Sequence, residues 1–237
     1  TPKHAVNYMF GLLSGFNEKS KFLEPCGGDG AFVSAILEKN LLKPNQITVW
    51  DINPEVKNYI EKFGVKFELK DTLLKTTFQK DDLFNKINKF THIIGNPPYL
   101  NKQSSYIKKN KKELKKIYDE IGVNDTYALF IYLCCHLLED GGQLCFITSD
   151  TYLTLGIHKK LRKYLLKNFV IKNITLCPHN LFKDTGALVN TCIINLINKR
   201  PTNNDDIIFN DCRSLEVGNY EGKRHFVKQN KILSYPD

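Results

Sequence analysis

The sequence predicts an α/β fold, a doubly wound and mainly parallel sheet of seven strands that includes a terminal antiparallel strand. Two observations predict it. Short β-rich runs alternate with helical patterns, and acidic or turn-forming residues follow the runs where strands should end. Such alternation favours parallel strands with helices on both faces, and ligands then bind beyond the carboxyl ends of the strands. The predicted strands cover 21–25, 46–51, 65–71, 91–95, 143–149, 170–177 and 188–197.

The first predicted strand, "KFLEP", leads into the loop "CGGDG" and a helix over 31–40. Gly28 and Gly30 permit positive φ and a close approach of backbone to a ligand, while the helix N-terminus favours an anion. Val33 stands where a dinucleotide fingerprint needs a third glycine, and no Gly-Lys-Ser/Thr follows. The loop is therefore either part of a ligand site that lacks a phosphate-binding motif or a purely structural turn.

The second and third predicted strands both finish in an acid. Asp51 closes "QITVWD", where a carboxylate can accept two hydrogen bonds from a ribose diol. Asp71 closes "VKFELKD" and can accept from an adenine amino group, with Ile52 or Leu73 beside the ring. Glu24 ends the first strand, so three acids at successive strand ends predict an adenosine-type site. S-adenosylmethionine meets that description.

The remaining helices are predicted from apolar spacing and from their caps. One opens at "NPEVKNYIEKFG", where Asn53 can cap and Pro54 takes the first turn. A long helix is predicted over 125–140, stopped by Gly141-Gly142, and another covers 156–169. The runs over 170–177 and 188–197 are predicted as a final strand pair joined by a loop.

The fourth predicted strand ends in Asn-Pro-Pro-Tyr at 96–99, a rigid turn. An exocyclic aromatic amine is a poor nucleophile because its lone pair is delocalised into the ring. Two acceptors for its hydrogens, the Asn96 side-chain oxygen and the Pro97 carbonyl, would draw the nitrogen toward tetrahedral geometry. Pro97 and Pro98 hold that carbonyl rigidly, and Tyr99 can stack on the base. The turn therefore predicts activation of a planar NH2 group.

These motifs resemble the S-adenosylmethionine-dependent amino methyltransferases, and most closely the N6-adenine DNA methyltransferases of restriction-modification systems whose cofactor motifs precede the catalytic motif. The resemblance covers residues 1 to about 198. It is carried by "TPKHAVNYM", "LEPCGGDGAF", "VWDINP", "KDTLL", "GNPPY" and "HNLFKDTGALVNTCIINL". It implies a Rossmann-like methyltransferase fold, S-adenosyl-L-methionine as cofactor and a flipped-out adenine in double-stranded DNA as the methyl acceptor.

The resemblance also implies a role for each matching residue. The catalytic residues are Asn96, Pro97, Pro98 and Tyr99. The cofactor residues are Thr1, Pro2, Glu24, Pro25, Cys26, Gly28, Gly30, Asp51, Ile52, Asp71, Leu73 and Asn96. Phe182 braces the base opposite Tyr99, and Tyr106 is expected to stack on a base as well. Ser149 stands where relatives often have proline, a mild departure.

A large target-recognition domain normally follows the catalytic domain in this family. Here the catalytic domain is predicted over 1–200, and 201–237, which begins "RPTNNDD", is predicted as a linker or the start of a truncated recognition region. The recognition domain and any nuclease are therefore expected to be missing or on a separate chain.

The net charge of +9 comes largely from lysine and suits a polyanion such as DNA, although lysine abundance can also reflect coding bias. Seven lysines follow the Asn-Pro-Pro-Tyr motif, at 102, 108, 109, 111, 112, 115 and 116. They form either a solvated helix or a tract that follows DNA phosphates, in which case binding weakens steeply with salt.

Other features exclude several protein classes. The seven cysteines contain no Cys-x-x-Cys pair and are expected to be reduced and buried. Cys177 and His179 alone do not complete a zinc site, so no metal is expected.

No apolar run approaches the ~20 residues of a membrane span, and "TPKHAVNYMF" lacks the layout of a signal peptide. The expected location is the cytoplasm, with no membrane partner.

Two alternatives stay open. Asn-Pro-Pro-Tyr also occurs in enzymes that methylate a glutamine of release factors or ribosomal RNA, so the acceptor can be RNA or a protein glutamine. The chain can also be a binding or specificity subunit with a vestigial site. The intact motif and the three strand-end acids argue against that last possibility.

Overall fold

The computed structural model describes residues 1–74, 89–183 and 189–234. Its strands are β1 (Phe22–Glu24), β2 (Ile47–Asp51), β3 (Lys66–Leu69), β4 (Phe90–Gly95), β5 (Leu138–Ser149), β6 (Val170–Leu176), β7 (Thr191–Ile197), β8 (Asp206–Asp211) and β9 (Lys223–Lys228). Its α-helices are α1 (Lys3–Gly11), α2 (Ala31–Glu38), α3 (Val56–Ile60), α4 (Ser105–Ile117), α5 (Thr126–His136), α6 (Lys159–Asn168) and α7 (Gln229–Ser234). The strands form one sheet in the order β3-β2-β1-β4-β5-β7-β6-β8-β9.

The topology confirms the predicted fold class. Strands β1 to β5 are parallel, and β7 lies antiparallel between β5 and β6. From β1 the chain builds outward through β2 and β3, then crosses to the other side of β1 to form β4. The strand order therefore reverses between β1 and β4, and the ligand crevice of a doubly wound sheet lies at such a point.

Each face of the sheet carries its own apolar cluster, because alternate strand residues point to opposite faces. Leu23 and Ile93 pack with α4, α5 and α6 on one face. Phe22 and Ile94, their chain neighbours, pack with α1, α2 and α3 on the other. Helix α5 is buried throughout 126–135, so it is apolar all round rather than amphipathic. Within the described ranges, no helix combines the length and apolar character needed to cross a membrane.

Two predicted helix boundaries are wrong. The helix predicted over 125–140 ends at His136, and Gly141-Gly142 belong to β5. Nothing in the apolar run marks the end of the helix at His136. The segment that follows is instead held in the sheet by strand pairing, in which the Gly141 N–H donates to the Asn198 carbonyl at 2.8 Å. Helix α3 begins at Val56 because Asn53 caps only a preceding turn, its Oδ1 accepting from the Glu55 N–H at 3.0 Å. The predicted start of the seventh strand at 188 lies outside the described residues.

The described part of the segment predicted as a linker or the start of a recognition region, residues 201–234, contributes two strands. The described sheet therefore has nine strands rather than the predicted seven. Strand β8 pairs in parallel with β6, and β9 pairs antiparallel with β8. The segment also packs on α1, where the rings of Tyr8 and Tyr220 stack with centroids 4.2 Å apart. The sequence signal is weak because β8 is flanked by Asn and Asp and β9 is rich in charge.

Candidate active site

A cavity of about 350 Å³ lies at the carboxyl ends of the central strands, where the strand order reverses. Ten of its lining residues were predicted from the sequence: Pro25, Cys26, Gly28, Asp51, Ile52, Asp71, Leu73, Asn96, Pro98 and Tyr106. Four others were not predicted: Thr72, Leu100, Thr126 and Phe130. The sheet therefore brings most of the predicted cofactor residues and part of the Asn-Pro-Pro-Tyr turn to one crevice.

The glycine loop is pressed against the end of β2. The Gly27 N–H donates to the Trp50 carbonyl at 3.0 Å, and a Cβ on Gly27 would lie 2.4 Å from Val49 Cγ1. The Gly28 N–H donates to Asp51 Oδ2 at 3.0 Å. Gly30, with φ of +76°, precedes α2 and does not line the cavity itself. The loop thus uses glycine for both close approach and a left-handed turn.

Asp51 joins the loop to the cavity. Its Oδ2 accepts from Gly28, and its Oδ1 accepts from the Asn53 N–H at 2.8 Å. Each carboxylate oxygen offers about two acceptor sites, so these bonds fix the carboxylate and leave capacity for a ligand. The geometry fits the predicted acceptor for a hydroxyl pair.

Asp71 accepts hydrogen bonds from Tyr106, a residue that the sequence predicts to stack on a base. The Tyr106 hydroxyl donates to Asp71 Oδ1 at 2.8 Å and lies 3.0 Å from Oδ2. Burial, followed by the Asp71 charge, raises the pKa of Tyr106, so its hydroxyl stays protonated. Ser104 caps α4, and the first turn of that helix carries the Tyr106 hydroxyl to the predicted cofactor acid. The stacking of the Tyr106 ring on a base remains a prediction.

Glu24 lies beneath the loop, with 2% of its surface exposed. Within the described part of the chain its Oε2 has no hydrogen-bond partner. Burial, and then the nearby charges of Asp29 and Asp51, raise the pKa of Glu24 well above its usual value. A buried acid among other acids fits a ligand that brings positive charge to the loop.

The Asn96 amide is held at both ends. Its Nδ2 donates to Thr1 Oγ1 at 3.2 Å, and its Oδ1 accepts from the Tyr99 hydroxyl at 2.7 Å. The Tyr99 hydroxyl also lies 3.3 Å from the Ile147 carbonyl, and burial raises the pKa of Tyr99. Since an amide oxygen has two lone pairs, Asn96 Oδ1 keeps one for a further donor. Pro2 precedes α1 beside this contact.

The structure does not bring Phe182 to the cavity. Phe182 is buried in the apolar cluster on the α1 face of the sheet, with Leu181 and Cys177. The Tyr99 ring is half-buried and meets the Tyr127 ring edge-on at 6.2 Å. The stacking of Tyr99 and the bracing role of Phe182 remain predictions.

The lysines that follow the Asn-Pro-Pro-Tyr turn lie on or next to α4. This helix buries Ile107, Leu114 and Ile117, and all seven lysines are exposed. Seven lysines against Glu113 give 102–117 a net charge of +6, two thirds of the +9 of the whole chain. One strongly basic segment of the chain therefore lies beside the cavity, because Tyr106 on the same helix lines it.

The missed residues carry little signal in the sequence. Phe130 lies in the apolar run of α5, where nothing distinguishes a lining ring from a core ring. Leu100 follows the Asn-Pro-Pro-Tyr turn, and Thr126 opens α5 as an ordinary hydroxyl residue. Only the three-dimensional contact of α5 with the turn places them at the cavity.

Comparison with known proteins gives consistent matches. A family model described as Eco57I restriction-modification methylase matches residues 31–182, more than half of the chain. The type II methyltransferase M.BstVI of Geobacillus stearothermophilus is 28% identical over 189 residues, 66% of this chain and 33% of that protein. The modification methylase CviBIII of Paramecium bursaria Chlorella virus NC1A is 28% identical over 198 residues, 82% of this chain and 48% of that protein.

The fold has a counterpart among solved structures. The methyltransferase subunit of a type I restriction-modification system from Streptococcus thermophilus superimposes with a TM-score of 0.67 at 19% identity. The match covers 98% of this chain and 51% of that one. The chain thus spans between one third and about half of the length of these proteins.

Proposed function

Because the chain belongs to the Eco57I restriction-modification methylase family, we propose that it transfers a methyl group from S-adenosylmethionine to the N6 amino group of a flipped-out adenine in DNA. S-adenosylmethionine is the cofactor that this membership implies. The observation that carries the proposal is the position of Asn96, whose anchored amide lines a cavity that also contains Asp51 and Asp71. The residue proposed to accept amino hydrogens and the acids proposed to bind the adenosine moiety thus line one crevice.

The residues of the cavity suit this cofactor. S-adenosylmethionine supplies an electrophilic methyl group on a positively charged sulfonium. Asp51 and Asp71 offer anchored carboxylate oxygens to hydroxyl and amino donors, and Ile52 and Leu73 line the same cavity. Glu24 adds a buried acid at the base of the loop, and its Oε2 has no hydrogen-bond partner among the described residues, which favours a cationic ligand.

We assign the acceptor base to the turn after β4. Asn96 Oδ1 and the Pro97 carbonyl would take the two amino hydrogens and localise the nitrogen lone pair, which points it at the electrophile. The Tyr99 hydroxyl keeps the Asn96 oxygen in place, and its ring would stack on the base, with Phe182 on the other side. No residue has to be ionised beforehand to act as a base.

The wider context is also part of the proposal. The expected partner is double-stranded DNA in the cytoplasm, within a restriction-modification system. Since the chain spans only part of its relatives' length, we assign target recognition to a segment outside these 237 residues or to another subunit.

Replacing Asp51 with alanine is expected to weaken S-adenosylmethionine binding by roughly 10- to 100-fold. The change removes a charged acceptor, and hydrogen bonds to charged groups contribute about 1.5–3 kcal/mol each. It also frees the Gly28 N–H that now donates to Asp51. Calorimetric titration of the cofactor measures the effect, with Asp140→Ala, a carboxylate outside this cavity, as the control. Unchanged cofactor affinity in the Asp51 variant would contradict the assignment.

The exposed lysines of α4 are expected to bind DNA phosphates. Replacing Lys108, Lys111 and Lys112 with glutamine should reduce the slope of log affinity against log salt by about 0.9 for each lysine that binds a phosphate in the wild-type complex. Fluorescence anisotropy with a duplex, measured between about 50 and 200 mM salt, gives the slope.

A matched control uses a second basic helix. Lys160, Lys163 and Lys167 on α6 are also exposed, and their replacement by glutamine changes the net charge equally. The α6 variant should keep the wild-type slope. Equal changes in both variants would indicate a general charge effect and reject a specific role for α4.

One assay separates the candidate acceptors. Labelled S-adenosylmethionine is incubated with pools of DNA, RNA and protein, and the labelled product is identified by nucleoside or amino-acid analysis. N6-methyladenine from DNA is the expected product. Label in RNA or in protein glutamine would favour those acceptors instead. Absence of cofactor binding would favour a non-enzymatic subunit, a role that the intact Asn-Pro-Pro-Tyr turn and the strand-end acids argue against.

A further inference from the structure

The backbone of the turn that holds the proposed acceptor base has few N–H donors of its own. Strand β4 ends at Gly95, and Pro97 and Pro98 carry no N–H group. The turn therefore has carbonyl acceptors but lacks two of the N–H donors that would normally bind it to a neighbouring segment of the chain. Rigid φ angles shape each proline but do not fix the turn relative to the rest of the site. Another part of the chain has to supply the missing donor.

Thr126, the first residue of α5, supplies it. Its hydroxyl donates to the Pro98 carbonyl and accepts from the Leu100 N–H at 3.0 Å. Its backbone N–H donates to the Leu100 carbonyl at 2.8 Å. The residue is 1% exposed, so water does not compete for these bonds. One threonine thus binds the chain on both sides of Tyr99.

The start of α5, which carries the Thr126 clamp on Pro98 and Leu100, is held in place as well. Asn101 and Asp125 form an antiparallel bridge next to it. Asp125 Oδ2 lies 2.9 Å from Nε2 of His158, a buried residue in the segment that follows β5. The Tyr127 hydroxyl lies 2.8 Å from Thr151 Oγ1 in the same segment. The turn after β4 is thereby tied to the end of β5.

We propose that Thr126 is a positioning residue for catalysis: its hydroxyl sets the place of the Asn-Pro-Pro-Tyr turn relative to the cofactor cavity. The inference rests on the function proposed above and adds a residue outside the motif. Pro97, which presents the second acceptor, directly precedes the clamped Pro98, and Tyr99 lies between the two clamped positions. A shift of about 1 Å in such groups can reduce turnover by about 100-fold.

The test compares three variants of Thr126. Thr126→Val keeps the shape and loses the hydroxyl, Thr126→Ser keeps the hydroxyl, and Thr126→Ala serves if the valine variant does not fold. We expect kcat with labelled S-adenosylmethionine and DNA to fall about 10- to 100-fold in the valine or alanine variant. The serine variant should stay within about threefold of wild type, and cofactor affinity should change little in all three.

Thr91→Val is the matched control. The Thr91 hydroxyl donates to the Lys21 carbonyl at 3.0 Å and accepts from the Lys21 N–H at 2.9 Å, the same dual bonding at the opposite end of β4. Its loss should lower the unfolding temperature about as much as Thr126→Val without reducing kcat. Similar losses of kcat in both variants would indicate that the loss in Thr126→Val reflects general destabilisation, and would overturn the proposal.

The remaining outcomes also decide the matter. Wild-type kcat in Thr126→Val, equal losses in the serine and valine variants, or a loss of cofactor affinity in place of kcat would each reject the positioning role. Wild-type protein that binds cofactor but methylates no DNA, even with its recognition segment or subunit present, would instead refute the proposed function, on which this role depends. The two failures are therefore distinguishable.

Discussion

Asn96→Ala is expected to reduce methyl transfer by about three orders of magnitude and to leave S-adenosylmethionine affinity within a few-fold of wild type. The amide oxygen is the proposed acceptor for one amino hydrogen, and loss of a preorganised polar group at a reacting centre costs about 10²- to 10³-fold in kcat. The second acceptor, the Pro97 carbonyl, cannot localise the lone pair alone. Single-turnover transfer of labelled methyl to DNA, together with calorimetric titration of the cofactor, measures both quantities.

Asn96→Asp is the matched variant. It keeps a side-chain oxygen at the same position, and the Thr1 and Tyr99 hydroxyls that contact the amide can both donate to a carboxylate. We expect it to retain more activity than Asn96→Ala. A wild-type rate in the alanine variant would refute the role of the amide. A loss of cofactor affinity equal to the loss of rate would indicate that Asn96 acts only in cofactor binding.

Tyr99→Ala is expected to cause the second-largest loss. It removes the ring proposed to stack on the flipped base, an interaction that contributes about 1–3 kcal/mol, or roughly 5- to 150-fold. It also removes the hydroxyl that donates to Asn96 Oδ1 at 2.7 Å. Both kcat and the affinity for DNA should therefore fall. Steady-state kinetics at saturating cofactor, with varied DNA, measures them.

Tyr99→Phe separates the two contributions. It keeps the ring and loses only the hydroxyl bonds to Asn96 and to the Ile147 carbonyl, a cost of about 1 kcal/mol. The phenylalanine variant should therefore be much milder than the alanine variant. Equal damage in both would place the importance of Tyr99 in its hydroxyl and contradict base stacking. Chemical denaturation checks that weaker packing against Tyr127 does not account for the difference.

Much of the site could be predicted because its signals are local in sequence. Asp51 and Asp71 lie at the ends of short β-rich runs, and Asn96 follows another, so the rule for parallel sheets places all three at one edge. In the structure all three line one cavity, and their roles there stay predictions. The glycine loop could be located for the same reason, since its residues and its strand are consecutive.

What could not be predicted depends on contacts between distant parts of the chain. Tyr106 is predicted to stack on the base because it follows the Asn-Pro-Pro-Tyr turn, and nothing in the sequence signals the bond of its hydroxyl to Asp71, 35 residues away. Thr126 looks like any helix-opening threonine until α5 packs against the turn. Strands β8 and β9 form because β6 offers an edge for pairing, not because their own composition demands a strand.

The strands beyond residue 200 also determine how the sheet terminates on that side. Strand β6 is largely buried, and without β8 its unpaired backbone groups would form an apolar edge open to strand addition from neighbouring molecules. The outermost strand among the described residues is instead β9, with Lys223, Arg224 and Lys228 along it. Charged side chains on an edge strand oppose such pairing. Among the described residues, β8 and β9 therefore cover the edge of β6 and place a strand with three basic side chains beyond it.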